Sequence, residues 1–168
     1  YTTFINDNSD IPFQDRYFFE SDIPEAFAAA LFASEVGGIY GPYKMGNTNN
    51  ISKVIGVTQM PDSVQSRHIL IRYQGSFRAS DAITLSKADA EAKADSIIKV
   101  LKRNRNAFES LAKTLSDDKS NSDKGGDLGY AGPGKMTKEF NDFIFDNKTG
   151  TLGVVETDYG FHVVEVQE

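Results

Sequence analysis

The chain has no cysteine and only two histidines in 168 residues. The first absence removes disulfides, thiolate metal sites and a cysteine nucleophile, and leaves the compartment undecided. Two imidazoles without thiolates are too few ligands for a zinc site, so no metal is expected. No apolar run approaches the roughly 18 residues of a membrane span, and no signal peptide opens the chain. No membrane contact by this stretch is expected. Tyr1 is not an initiator Met, and the chain is expected to be a fragment of a longer protein. Basic residues are scarce at the front: residues 1–65 hold 8 acidic and 3 basic side chains, and the remainder 16 and 15. No basic stripe accompanies the aromatics, which argues against a nucleic-acid groove.

What is present is ample apolar material, 39% of the chain with 12 Phe and 7 Tyr, enough for a packed core in one domain or one and a half. The most distinctive stretch is Gly125–Phe140. Five of its sixteen residues are Gly, which frees the backbone for turns and for close approach to a ligand. Thr137 is placed to cap a helix bearing Phe140, Phe143 and Ile144 on one face, with Met136 near Phe140. Residues 66–73 read as a strand with His68, Leu70 and Arg72 on one face and Ile69 and Ile71 on the other. Residues 161–166 read likewise, with His162, Val164 and Val166 together. Both histidines therefore sit in strands.

Residues 1–15 read as an irregular lead-in. A helix over 24–35, capped by Asp22, carries Phe27, Leu31 and Phe32 and ends at Gly37-Gly38. A polar turn, Gly46 to Asn50, precedes a strand over 51–57. Shifted by 113 residues, Ile23, Phe27, Leu31, Phe32, Gly37 and Ile39 fall on Met136, Phe140, Ile144, Phe145, Gly150 and Leu152. The alignment argues for an internal half-repeat, the alternative being a helix and hairpin alike by chance. A change of offset after the loop places Lys53 where His162 stands. Met60–Ser63 is a linker. Beyond it, Ser86 with Asp89, and Asn106 with Glu109, form capping boxes for two amphipathic helices. Residues 116–124 are polar or charged throughout and read as solvated surface, Asp118 among them. The order strand, helices, strand, helix, strand, strand makes an α+β sandwich on one small mixed sheet.

His68-Ile69-Leu70, Ser116-Asp117-Asp118, Gly125-Gly126-Asp127-Leu128-Gly129, Met136 with Phe140, and Thr157-x-x-Gly160-Phe161-His162 follow one another in the order and approximate spacing of a known family. In this the chain resembles the parvulin-type (PpiC/rotamase) peptidyl-prolyl cis/trans isomerases over residues 66–168. The resemblance implies a parvulin-like domain at 64–168, flanked by helices and preceded at 1–63 by a shorter α/β half-repeat, a degenerate half-parvulin or chaperone-like segment. It implies catalytic roles for His68, Asp118, Thr157 and His162, a proline pocket from Leu128, Met136 and Phe140, no cofactor, and a non-covalent mechanism. Taken singly, each of these residues would read as ordinary core or surface. Arg72 and Arg78 are dispersed and read as solvated charge, not as an anion pocket. The family's usual Gly-Pro is missing after Thr149-Gly150, while Gly41-Pro42 keeps it in the first copy. The similarity extends to multidomain envelope foldases of the PpiD and SurA kind. These imply a periplasmic setting, an inner-membrane anchor N-terminal to this stretch, unfolded or nascent exported clients with X-Pro bonds, and contact with the translocon. The alternative is a non-catalytic holdase that grips apolar, unfolded segments.

Overall fold

The computed structural model describes residues 1–13 and 17–168. The chain divides into two compact units, Tyr1–Gln59 and Met60–Glu168.

The first unit opens on a helix, α1 (Thr2–Asn8), where an irregular lead-in was expected. The Ile5 N–H donates to the Tyr1 carbonyl, and Asn8 turns its amide back onto the Phe4 carbonyl, closing the helix locally. Residues 14 and 15 of that lead-in lie outside the described residues. Asp22 does not cap the next helix. Its carboxylate accepts the Phe19 N–H at 3.0 Å and closes a 3₁₀ turn, Glu20–Asp22. Helix α2 (Glu25–Phe32) instead begins after Pro24, whose fixed φ suits a helix start and whose carbonyl accepts from Phe27 and Ala28.

Strands β1 (Ile39–Met45) and β2 (Thr48–Lys53) form an antiparallel hairpin. The turn is only Gly46-Asn47, because Asn50, expected to end the turn, bonds its side chain to Thr48 within the strand. The register sets Asn50 opposite Tyr43. Gly37 takes a left-handed φ of 95° and donates to the Val54 carbonyl at 2.7 Å; the Val54 N–H returns to Gly38 at 2.9 Å. Phe27 beds on the hairpin with its ring centroid 4.9 Å from that of Tyr43.

The second unit runs β3 (Val64–Ile71), α3 (Lys87–Arg103), α4 (Phe108–Leu115), β4 (Asp127–Ala131), α5 (Lys138–Asp146), β5 (Leu152–Thr157) and β6 (Gly160–Val166). This is the expected α+β order. The sheet order is β4-β3-β6-β5 and every pairing is antiparallel, so the sheet is not mixed. Two helices separate β3 from β4, and the second reversal brings the chain back running against β3. A single crossover helix would have given a parallel neighbour.

Alternation along the strands splits the core in two. Ile69, Ile71, Phe161 and Val163 face Ala90, Ala94, Ile97 and Leu101 of α3 and Phe108 and Ala112 of α4. Val64, Val164 and Val166 face Phe140 and Ile144 of α5 on the other side, with Val155. Ser86 caps α3 by accepting the Asp89 N–H at 3.1 Å. The second box does not form. Asn104, two residues earlier than expected, accepts the Asn106 N–H and starts a 3₁₀ turn that leads into α4. Thr137 precedes α5 without a capping side-chain bond. Glu165 is buried, and its charge is met by Arg67 at 2.6 Å and Arg105 at 3.2 Å, with Arg67 also stacked over Phe108.

Candidate active site

Register builds the centre of the site. Across the β3–β6 pair, His68 lies opposite Val164 and Leu70 opposite His162, so the two histidines are diagonal neighbours on one face. Their Nδ1 atoms are 2.9 Å apart and their rings lie 20° from parallel. The β5–β6 turn is two residues long and pairs Thr157 with Gly160, which sets Thr157 diagonal to His162, its Oγ1 2.8 Å from His162 Nε2. At the other end, His68 Nε2 meets Asp118 Oδ2 at 2.9 Å. Thr157, His162, His68 and Asp118 thus form one unbroken chain of hydrogen bonds.

Asp118 is not part of a solvated run. Ser116 Oγ accepts the Leu70 N–H, the Asp117 N–H reaches the Leu70 carbonyl, and Asp117 accepts from the Arg72 N–H, so the segment is stitched along the end of β3. Ser116, Asn121 and Ser122 are buried. The His68 hydrogen bond pulls the Asp118 carboxyl well below the usual carboxylate range; partial burial opposes this, and two bonds from Ser120 reinforce it. Burial, and then the adjacent His68, push the His162 imidazole from 6.5 down to about 3. At neutral pH Asp118 is an anion and His162 is neutral. One proton arrangement serves each link of this chain. Thr157 donates to His162 Nε2, His162 Nδ1–H donates to His68 Nδ1, and His68 Nε2–H donates to the carboxylate.

Phe140 joins this polar chain to the apolar cluster beside it. Its ring stands edge-on to both imidazoles, 5.9 Å from His68 and 5.4 Å from His162. Leu128 and Met136 are partly buried against the same cluster as Phe140, Ile144 and Val155. The glycine-rich stretch is positioned as Gly126 reaches β3: its carbonyl accepts the His68 N–H at 2.9 Å, and its φ is 78°. All seven residues expected at the site are therefore gathered in one region.

Sequence reasoning missed Asn121. Its Nδ2 donates to Asp118 Oδ2 at 2.7 Å and lies 3.2 Å from His68 Nε2. The available signal was its place three residues after Asp118. Arg72 is engaged locally, donating to the Phe77 carbonyl at 2.6 Å and lying over the Tyr159 ring. Among the described residues no group of three or more His, Cys, Asp or Glu converges to hold a metal ion, and no helix is long and apolar enough to cross a membrane.

A four-stranded antiparallel sheet with helices on both faces and paired imidazoles beside an apolar cluster defines a parvulin-type peptidyl-prolyl isomerase fold. The chain belongs to the PPIC-type PPIase domain family, whose model matches residues 49–168. It is similar to the chaperone SurA of Sodalis glossinidius, 28% identical over 155 residues, which cover 86% of this chain and 33% of that protein. To the foldase protein PrsA of Staphylococcus epidermidis it is 37% identical over 108 residues, 64% of this chain and 33% of that protein. Among solved structures, the peptidyl-prolyl isomerase ESS1 from Candida albicans matches with a TM-score of 0.60 and 25% identity, over 64% of this chain and 63% of that one. The chain spans about a third of the length of the curated relatives it matches.

Proposed function

We propose that residues 64–168 catalyse cis/trans isomerisation of X-Pro bonds in unfolded or nascent exported polypeptides, and so assist their folding in the cell envelope. The barrier to be lowered, about 18–20 kcal/mol, comes from amide resonance, and unaided exchange takes tens to hundreds of seconds. Leu128, Met136 and Phe140 hold the pyrrolidine ring, which is apolar and has no N–H to anchor. The peptide unit before it rotates past Asp118. Planarity of that unit depends on negative charge gathered on its carbonyl oxygen. A fixed carboxylate close by and an apolar surround both disfavour that charge and so favour the twisted state. Each 1.4 kcal/mol given selectively to that state is worth about tenfold in rate, so no nucleophile is required. His68, His162, Thr157 and Asn121 keep the carboxylate ionised and aimed.

The observation that carries this reading is Phe140 standing edge-on to both members of the hydrogen-bonded histidine pair. A protease-coupled or fluorescence-jump assay on a short X-Pro peptide tests it. Turnover above the thermal rate is expected; peptide binding with no acceleration would replace the enzyme with a holdase. On the same reading the parent polypeptide works in the periplasm, anchored in the inner membrane by a helix N-terminal to this sequence, with clients arriving from the translocon. The similarity to a chaperone and a foldase supports this setting, and recovery of the parent protein in the cytoplasmic fraction would sink it.

A further inference from the structure

The first unit repeats the rear half of the second, not only in sequence but bond by bond. Shifted by 113 residues, α2 falls on the first eight of the nine residues of α5; past the irregularity between Tyr40 and Tyr43 the shift becomes 112, and the hairpins align through turns of two residues each. Gly37 donates to Val54 as Gly150 donates to Val166, each at 2.7 Å. Val54 donates to Gly38 as Val166 donates to Thr151, at 2.9 and 3.0 Å, and Gly38 to Glu35 as Thr151 to Lys148, at 2.9 and 3.0 Å. Gly37 and Gly150 share a left-handed φ, 95° and 84°. Phe27 beds on Tyr43 where Phe140 beds beside Val155.

The front half has no counterpart among the described residues. In the second unit the outer edge of β6 is paired along β3, and Val163 and Leu152 lie under α3. Among the described residues the matching edge of β2 has no strand beside it. Ile51, which stands where Val163 is fully buried, is 71% exposed, and Ile39, which stands where Leu152 packs, is 69% exposed. A bare strand edge flanked by exposed branched side chains invites pairing, and stable proteins cover it.

We propose that residues 1–59 are the rear half of a second unit of this fold, completed by a segment of the same polypeptide N-terminal to this sequence. That segment adds one strand antiparallel to β2 and lays an amphipathic helix over Ile39 and Ile51. The order of the second unit, with β3 and α3 ahead of α5, places the completing half upstream. The match to a chaperone three times longer than its aligned part extends across 86% of this chain, and so well into this unit. The completed unit is not an isomerase. The hairpin register puts Asn50, rather than the expected Lys53, at the place of His162, and Met45 at the place of Thr157.

Amide hydrogen exchange tests this on the 168-residue chain and on the natural polypeptide extended upstream by a stretch as long as Val64–Thr137. The backbone amides of Asn49 and Ile51, which point away from β1, are expected to exchange fast in the shorter chain and at least about 100-fold more slowly in the longer one. In the longer chain Ile51→Asp lowers the unfolding midpoint of the first unit and leaves X-Pro turnover unchanged, so the outcome is independent of whether the second unit is an enzyme. Equal, fast exchange in both chains overturns the proposal. Protection in the shorter chain that grows with its concentration assigns the edge to a second copy, and protection only on adding unfolded polypeptide assigns it to a client; either result overturns it, as does a reading frame with no such upstream stretch.

Discussion

Asn121 donates to the same oxygen of Asp118 that receives the His68 hydrogen bond, at 2.7 Å, from a side chain that is itself buried. The carboxylate is thereby held at one oxygen by two donors and at the other by Ser120, and it has little freedom to turn.

Removing one of these donors tests whether aim matters. Asn121→Ala is expected to lower kcat/KM about tenfold, the equivalent of one lost hydrogen bond to a charged group. Asn121→Asp brings a second carboxylate to the site and should raise the pKa of Asp118, visible in a carbon-13 carboxyl titration. A purely structural role would change stability and leave that titration where it is.

The proposed proline pocket has its own signature. On the proposed reading Met136 and Phe140 touch the proline ring, and Met136→Ala and Phe140→Leu should each cost about 10–100-fold in kcat/KM toward X-Pro peptides. Phe140→Leu is preferred to Phe140→Ala, because emptying so buried a site costs about 3–5 kcal/mol of stability and would confuse the reading. Unchanged kinetics in both variants would remove the pocket from this position.

Stability should depend on pH through His162. The unfolded chain protonates this ring near 6.5 and the folded chain only near 3. Between those values the unfolded state holds the extra proton, so stability falls as pH drops from 6.5 toward 3, by up to about 1.4 kcal/mol per pH unit. Asp118 acts in the same direction below 3.8, because its folded carboxyl resists protonation. Urea midpoints at pH 7, 5 and 4 should decline in the native chain and flatten in His162→Asn. A level profile in the native chain would contradict the buried, neutral ring.

Two glycines of the same loop separate backbone strain from close approach. Gly126 and Gly134 both have left-handed φ, 78° and 74°. A Cβ at Gly134 meets nothing within 4 Å, whereas one at Gly126 collides with the His68 carbonyl oxygen. Gly134→Ala should cost only the left-handed penalty, about 1–2 kcal/mol, and Gly126→Ala clearly more, together with activity as His68 is displaced. Denaturant midpoints and the X-Pro assay read both. Equal costs would mean that β3 yields freely to β4.

By itself the sequence determined which residues share a face of β3 and of β6, where the glycine loop lies, and that Ser86 opens a long helix; these are matters of short-range period and local bonding, which neighbouring residues settle among themselves. It also carried the alignment of the two helices and of the glycine turns that follow them, because repeated side chains leave a visible spacing. Only the tertiary structure decided who meets whom. His68 and His162 are joined by strand register across most of the second unit. Asp118, Asn121 and Glu165 have the composition of surface residues and are drawn inward because distant partners satisfy them. Asn50 displaced Lys53 from the matching position because a hairpin's register is fixed by its turn, and the Asn residues that resemble a turn had side chains free to bond along a strand.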